Sequence, residues 1–64
     1  MKLKMICGNE IKAGNWIFYD NVFHKVMDYS FHKNRVRVTV LDPWDMPGEI
    51  SFRQDRMILV AEES

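Results

Sequence analysis

The segment Arg35–Leu41 alternates between two kinds of side chain, and this pattern constrains the fold more than any other feature. Valine occupies positions 36, 38 and 40, while arginine or threonine occupies positions 35, 37 and 39. A period of two residues places the valines on one face of an extended chain and the polar side chains on the other. Valine and threonine also favour strands, because a branched Cβ suits the pleated backbone. The segment is therefore predicted to be a half-buried antiparallel strand with a basic outer face.

Turn signals recur along the rest of the chain at intervals of roughly eight to twelve residues, which is typical of small all-β folds. Short strands are predicted at residues 3–6, 16–19, 22–31, 35–42, 49–53 and 57–61. Asp20-Asn21 and His32-Lys33-Asn34 are the expected hairpin turns. Residues 43–48 are expected to form a loop, because neither proline there can donate a ladder hydrogen bond. Residues 62–64 are expected to be a frayed tail.

The 64 residues are predicted to form a single domain. A chain of this length buries only ~60% of the surface that its unfolded form exposes, so it has too little material for two full sheets. One strongly bent sheet that closes on itself is more economical, because closure also removes unpaired edges. The predicted fold is all-β, an SH3-like small barrel of five or six short antiparallel strands. An OB-fold is the alternative, although it usually needs a longer chain with a helix.

The apolar residues divide into an expected core and a surplus. Ten are expected to fill the barrel: Ile17, Tyr19, Val26, Val36, Val38, Val40, Ile50, Phe52, Ile58 and Val60. Six further large side chains remain: Trp16, Phe18, Met27, Tyr29, Phe31 and Trp44. Some of these are expected to close the barrel ends, and the others to form an exposed patch of the kind that marks an interface.

Several stretches resemble the KOW-type, SH3-like barrels of translation and transcription factors. They are residues 11–17 (IKAGNWI), Val26, residues 36–40 (VRVTV) and residues 51–55 (SFRQD). The nearest pattern is the N-terminal barrel of translation elongation factor P, in which a glycine-led start enters consecutive hairpins. In that family the tip after the second long strand carries a modified basic residue set among glycine and proline. Lys33 occupies the matching tip without such neighbours, so the resemblance implies the fold and not the ribosomal function.

The surplus residues give the functional prediction. Met27, Tyr29 and Phe31 alternate along one predicted strand and are expected to line one face, beside Arg35 and Arg37 on the next strand. Aromatic and arginine side chains are enriched at protein–protein hot spots. They also stack bases and hold phosphates in nucleic-acid-binding sheets. The chain carries nine Lys and Arg against nine Asp and Glu, and this balance favours a protein partner over a general polyanion.

Two other interpretations remain open at this stage. One is a nucleic-acid-binding barrel that uses Arg35, Arg37 and Lys25 together with the neighbouring aromatic residues. The other is a structural subunit of a homo-oligomeric assembly, in which the apolar surplus is buried between copies. Trp44 stands between two prolines and is expected either to anchor a partner or to fold back as a lid on one barrel end.

Enzymatic and metal-binding functions find no support in the sequence. Cys7, His24 and His32 match no zinc-ligand spacing, and no glycine-rich nucleophile or phosphate loop is present. The acidic residues around the proline loop are too sparse for a calcium loop and are expected to be solvated. The chain is therefore interpreted as a non-enzymatic accessory or regulatory factor without metal or cofactor. Its brevity is typical of products encoded by phages or mobile elements.

The expected location is the cytoplasm, without membrane association. The longest apolar runs are about five residues, far below the ~20 that span a bilayer. The first residues are too few and too polar for a signal peptide. Cys7 is the single cysteine and has no intrachain partner for a disulfide.

Overall fold

A computed structural model describes residues 1–62, which form one antiparallel sheet of six strands. The strands are β1 (Lys2–Cys7), β2 (Trp16–Tyr19), β3 (Val22–His32), β4 (Arg35–Leu41), β5 (Pro47–Arg53) and β6 (Met57–Glu62). One turn of 3₁₀ helix, Gly8–Glu10, follows β1. No helix in this part of the chain is long and apolar enough to cross a membrane. The all-β prediction is confirmed.

Several strand boundaries differ by one or two residues from the sequence-based prediction, and two of these differences change an expectation. Pro47 begins β5 and pairs with Leu41, whereas residues 43–48 were expected to form a loop throughout. A proline fits there because it is the first residue of an edge strand. Glu62 ends β6, so it is not part of a frayed tail. The rest of the predicted tail, residues 63–64, lies outside the described residues.

The strand order is β1-β6-β2-β3-β4-β5, so β1 and β5 form the two edges. Over residues 1–62 no ladder joins these edges, and the sheet does not close into a hydrogen-bonded barrel. It nevertheless bends back on itself, because Ile6 of β1 and Phe52 of β5 pack in the same core cluster. The backbone N–H of Gly8 donates to the carbonyl of Arg56 at 2.8 Å. A Cβ at Gly8 would lie 2.8 Å from the carbonyl oxygen of Arg53, so only glycine allows this approach.

The core agrees closely with the predicted set. Nine of the ten expected residues are buried, and Tyr19 is partly buried and packs against them. Three buried apolar residues were not predicted: Ile6, Ile11 and Ala61. Ile6 and Ile11 flank the 3₁₀ turn and belong to the main core cluster. Ala61 is fully buried but lies outside that cluster, because it occupies the other face of the sheet.

A β-bulge in β3 decides which way its second half faces. Val26 pairs with Val40, but the next pair is Asp28 with Thr39, so Met27 is an extra residue on β3. An extra residue reverses the facing of everything that follows it, because side chains alternate with a period of two. Beyond the bulge, Tyr29 is therefore opposite a buried valine of β4 instead of a polar residue.

Candidate interaction surfaces

The outer face, opposite the main core, has two halves of different chemistry. Its side chains on β1, β6, β2 and the start of β3 are mainly apolar. On the rest of β3 and on β4 and β5 they are mainly polar, as the rows Ser30–Arg37–Ser51 and Asp28–Thr39–Glu49 show. The strand register thus separates an apolar region from a polar one on the same side of the sheet.

The apolar half is organised around one row of directly paired residues. The row crosses all six strands and consists of Leu3, Ala61, Trp16, Lys25, Leu41 and Pro47. Directly opposed residues share a face, and Trp16 alternates with the buried core residue Ile17, which places the row outside. Only one member of the row, Lys25, carries a charge.

We define the apolar outer patch by eight residues: Leu3, Met5, Trp16, Phe18, Phe23, Met57, Leu59 and Ala61. Leu3, Met5 and Met57 are 58%, 55% and 56% exposed, and Phe18 is 38% exposed. Phe18 and Phe23 pair across β2 and β3, with ring centroids 5.0 Å apart. No member is charged, so the patch offers packing and not charge recognition.

The sequence contained signals for this patch that point to β1 and β6. Leu3 and Met5 alternate with Lys2 and Lys4, which is the period of a strand with one apolar face. Residues 57–61 are apolar without interruption, as expected for a central strand that is apolar on both faces. The prediction of surplus residues included Phe18 and Trp16 but missed Leu3, Met5 and Met57.

The predicted surface of aromatic residues beside arginines is wrong in its geometry. Because of the bulge, Tyr29 and Phe31 pair with Val38 and Val36 and lie on the core face of the β3–β4 hairpin. Their rings contact each other in an edge-on arrangement with centroids 5.5 Å apart. Arg35 and Arg37 lie on the outer face. The two sets are therefore separated by the sheet itself.

Met27 also leaves the expected stripe. It is the extra residue of the bulge and is exposed. Lys25, the third basic residue of the nucleic-acid interpretation, pairs with Trp16 and Leu41 instead of neighbouring either arginine. The binding roles of these residues stay predictions, but the single stripe that joined them does not exist.

Trp44 is presented to solvent and does not cover the core. It is 75% exposed. Asp42 orders its loop, since one carboxylate oxygen accepts the backbone N–H groups of Trp44 and Met46, each at 2.9 Å. The loop of Trp44 follows the end of β4 that is opposite to Arg35, and β4 is about 20 Å long at ~3.3 Å per strand residue. Its exposure argues against the lid interpretation, and its role as a partner anchor stays a prediction.

A groove of about 490 Å³ lies at the tip of the β3–β4 hairpin. Its lining residues are Ser30, Phe31, His32, Lys33, Asn34, Arg35, Arg37 and Ser51. None of them is acidic. Arg35 Nε donates to Ser51 Oγ at 3.1 Å, and Arg37 Nε lies 3.3 Å from Glu49 Oε1. Lys33 forms the turn with φ of 55°, a conformation that favours glycine.

A neighbouring pair shows how an arginine of this sheet is neutralised. Arg53 Nε and Nη2 each donate to a different carboxylate oxygen of Asp55 at 3.1 Å. This hydrogen bonding lowers the pKa of Asp55 below its ordinary value and raises that of Arg53. Arg53 pairs directly with Arg35 across β4 and β5. Within residues 1–62 a carboxylate neutralises Arg53, and none lies within salt-bridge distance of Arg35.

The residues considered for catalysis or metal binding are distributed among separate contacts. Cys7 Sγ lies 3.4 Å from the carbonyl of Gln54, and His24 Nε2 lies 3.1 Å from the carbonyl of Tyr19. His32 lies at the hairpin tip. Within residues 1–62 no group of three or more His, Cys, Asp or Glu side chains is placed to hold a metal ion.

Comparison with known proteins adds no assignment. No protein-family model, no curated protein and no solved structure matches this chain. The two halves of the outer face are therefore the basis for the functional argument.

Proposed function

We propose that this protein is a non-enzymatic binding module that recognises a protein partner through the apolar outer patch. The main support is that four large apolar side chains of the patch are exposed on the neighbouring strands β1, β6 and β2: Leu3, Met5, Met57 and Phe18. No member of the patch is charged. Contiguous exposed apolar surface on a small domain marks an interaction site more often than scattered single residues do.

The expected strength follows from how much apolar surface is available. Full burial of one such side chain contributes roughly 1.5–3 kcal/mol, so four that are about half exposed contribute roughly 3–6 kcal/mol. Association itself costs an estimated ~4–15 kcal/mol. The patch therefore needs a partner that buries a comparable apolar surface of its own. A polar partner would gain too little free energy to offset the cost of association.

The partner chemistry follows from the same residues. Phe18 and Phe23 form a tilted aromatic pair at the β3 side of the patch, and aromatic residues are enriched among the anchors of protein interfaces. Lys25 is the charged residue that borders the patch along the Leu3–Pro47 row. We expect the partner to place apolar side chains against Phe18 and a carboxylate near Lys25.

The proposal includes a finer fold assignment and a location. The six-stranded antiparallel sheet with a short 3₁₀ turn is compatible with an SH3-like barrel of KOW type, similar to the N-terminal barrel of translation elongation factor P. A cytoplasmic location is supported by Cys7, an unpaired thiol that suits a reducing compartment.

The test is capture of a partner by matched surface variants. Wild type, Met5→Ser/Phe18→Ser and Met46→Ser are used as bait in the source organism, with and without nuclease. Met46 is the control because it is exposed and apolar but lies in the Trp44 loop. We expect the double variant to lose the partner and the control to retain it, regardless of nuclease. Equal capture by all three baits, or loss on nuclease treatment, contradicts the proposal.

The homo-oligomeric interpretation uses the same patch. In that case the partner is a second copy, and formal net charge of zero means that copies do not repel each other. The sedimentation measurement described in the Discussion distinguishes a second copy from a different protein.

A further inference from the structure

The polar half of the outer face contains a cationic groove that the proposed protein interface does not use. The groove is lined by three cationic side chains, Lys33, Arg35 and Arg37. His32, Ser30 on β3 and Ser51 on β5 also line it. Within the described residues, only Arg37 of these cations lies in salt-bridge distance of a carboxylate. The zero net charge of the whole chain therefore hides a local excess of positive charge.

Both arginines are oriented by a contact through Nε. Arg35 donates its Nε to Ser51 Oγ, and Arg37 directs its Nε to Glu49. These contacts fix the guanidinium planes on the outer face. The terminal nitrogens of a guanidinium form the fork that binds an oxyanion with two parallel hydrogen bonds. An arginine held through Nε is thus preorganised for a phosphate.

Lys33 adds a third cation to the groove, at the tip of the hairpin. Its φ of 55° lies in the left-handed region, where a lysine is strained and a glycine is not. Tight hairpin turns require a positive φ, and Asp20, Asn21 and Asp45 adopt one as well. The hairpin tip therefore keeps a cation where the backbone alone favours glycine.

We infer that this groove binds the phosphodiester backbone of single-stranded nucleic acid, with contact to one or two phosphates. The groove has room for about one nucleotide, and the ring of His32, which is paired with Arg35 on the outer face, offers a flat surface of the kind on which bases stack. A duplex needs a longer basic surface than three cations provide. The groove lies on the half of the outer face away from the apolar patch, so failure of either proposal leaves the other intact.

The test compares binding of a fluorescein-labelled twelve-nucleotide oligothymidylate by anisotropy over a range of salt concentrations. We expect a wild-type Kd of roughly 1–100 µM near physiological salt, typical of contacts made mainly to phosphates. Lys33→Gln/Arg35→Gln should weaken binding at least about tenfold and reduce the slope of log K against log salt by about 1.4, since each phosphate contact on a single strand contributes about 0.7.

The control Lys2→Gln/Lys12→Gln removes the same charge elsewhere. Lys2 lies on β1, four strands from β4 in the sheet order, and Lys12 lies between the 3₁₀ turn and β2. The control should bind like wild type, and all proteins should show one thermal transition. No binding by wild type, or equal weakening in both variants, overturns the inference. Tighter binding of a phosphoserine peptide than of the oligonucleotide also overturns it.

Discussion

At the scale of single residues, the position of Val38 gives the clearest prediction about folding stability. It is fully buried at the middle of β4, between Tyr29 on β3 and Ile50 on β5. A small core of this kind supplies little more than ~3–5 kcal/mol of net stability. Every buried side chain near its centre is therefore close to essential for folding.

We expect Val38→Asp to abolish cooperative unfolding. An unpaired carboxylate at this position costs several kcal/mol, which is on the order of the whole stability of the domain. Thermal and urea unfolding followed by circular dichroism measure this directly. Ser30→Asp is the control, because Ser30 is exposed on the outer face opposite Arg37. A folded Val38→Asp variant with an unchanged transition would show that the valine face is not the core.

A substitution of Lys33 is expected to stabilise the domain, in contrast to Val38→Asp. Lys33→Gly should raise the free energy of unfolding by up to ~1 kcal/mol, because glycine adopts a positive φ without strain. The same change should weaken oligonucleotide binding. Asn34→Gly, at a neighbour outside the left-handed region, should not stabilise the domain. Destabilisation by Lys33→Gly would mean that the lysine makes a structural contact that outweighs its backbone strain.

At the scale of elements, local alternation predicted β4 and most of the core, because period-two patterns report which face is buried. The Met27 bulge could not be predicted in this way. No glycine or proline marks residues 26–28, and an extra residue is recognised only when the partner strand is in place. The facing of Tyr29 and Phe31 was therefore wrong. The apolar outer patch was missed for a related reason, since it depends on β6 lying between β1 and β2.

The bulge predicts a specific set of proton contacts. In the wild-type protein, nuclear Overhauser effects should connect the ring of Tyr29 with the methyl groups of Val38, and the ring of Phe31 with those of Val36. A regular strand that continued from the pair Val26 and Val40 would instead place Tyr29 opposite Arg37 and Phe31 opposite Arg35. Contacts of the Tyr29 ring with the side chain of Arg37, and none with Val38, would rule out the bulge.

At the scale of the whole molecule, both sheet edges are protected against pairing with another chain. On β1, Lys2 and Lys4 lie on the same face as the core residue Val60, and Lys4 pairs with Glu62 at 3.1 Å. Charged residues on the inward face of an edge strand disfavour edge-to-edge association. Pro47 has the same effect at the start of β5. Contacts between molecules should therefore involve the outer face.

We expect self-association through that face to be weak but measurable. Sedimentation velocity over a hundredfold concentration range should show an increase in average mass, and Phe18→Ser should reduce it because Phe18 lies in the apolar outer patch. The control Met46→Ser should leave it unchanged. A wild-type protein that stays monomeric throughout would exclude the second copy as partner and leave a different protein in that role.

The most direct test of the division of the outer face is site-specific photo-crosslinking in cells of the source organism. Benzoylphenylalanine replaces Phe18 in the apolar outer patch or Thr39 in the polar half, and each variant is checked for a cooperative thermal transition. We predict a discrete protein adduct from position 18 and none of that mass from position 39. The same adduct from both positions, or no protein adduct from position 18, would contradict the assignment of the patch as the protein-binding surface.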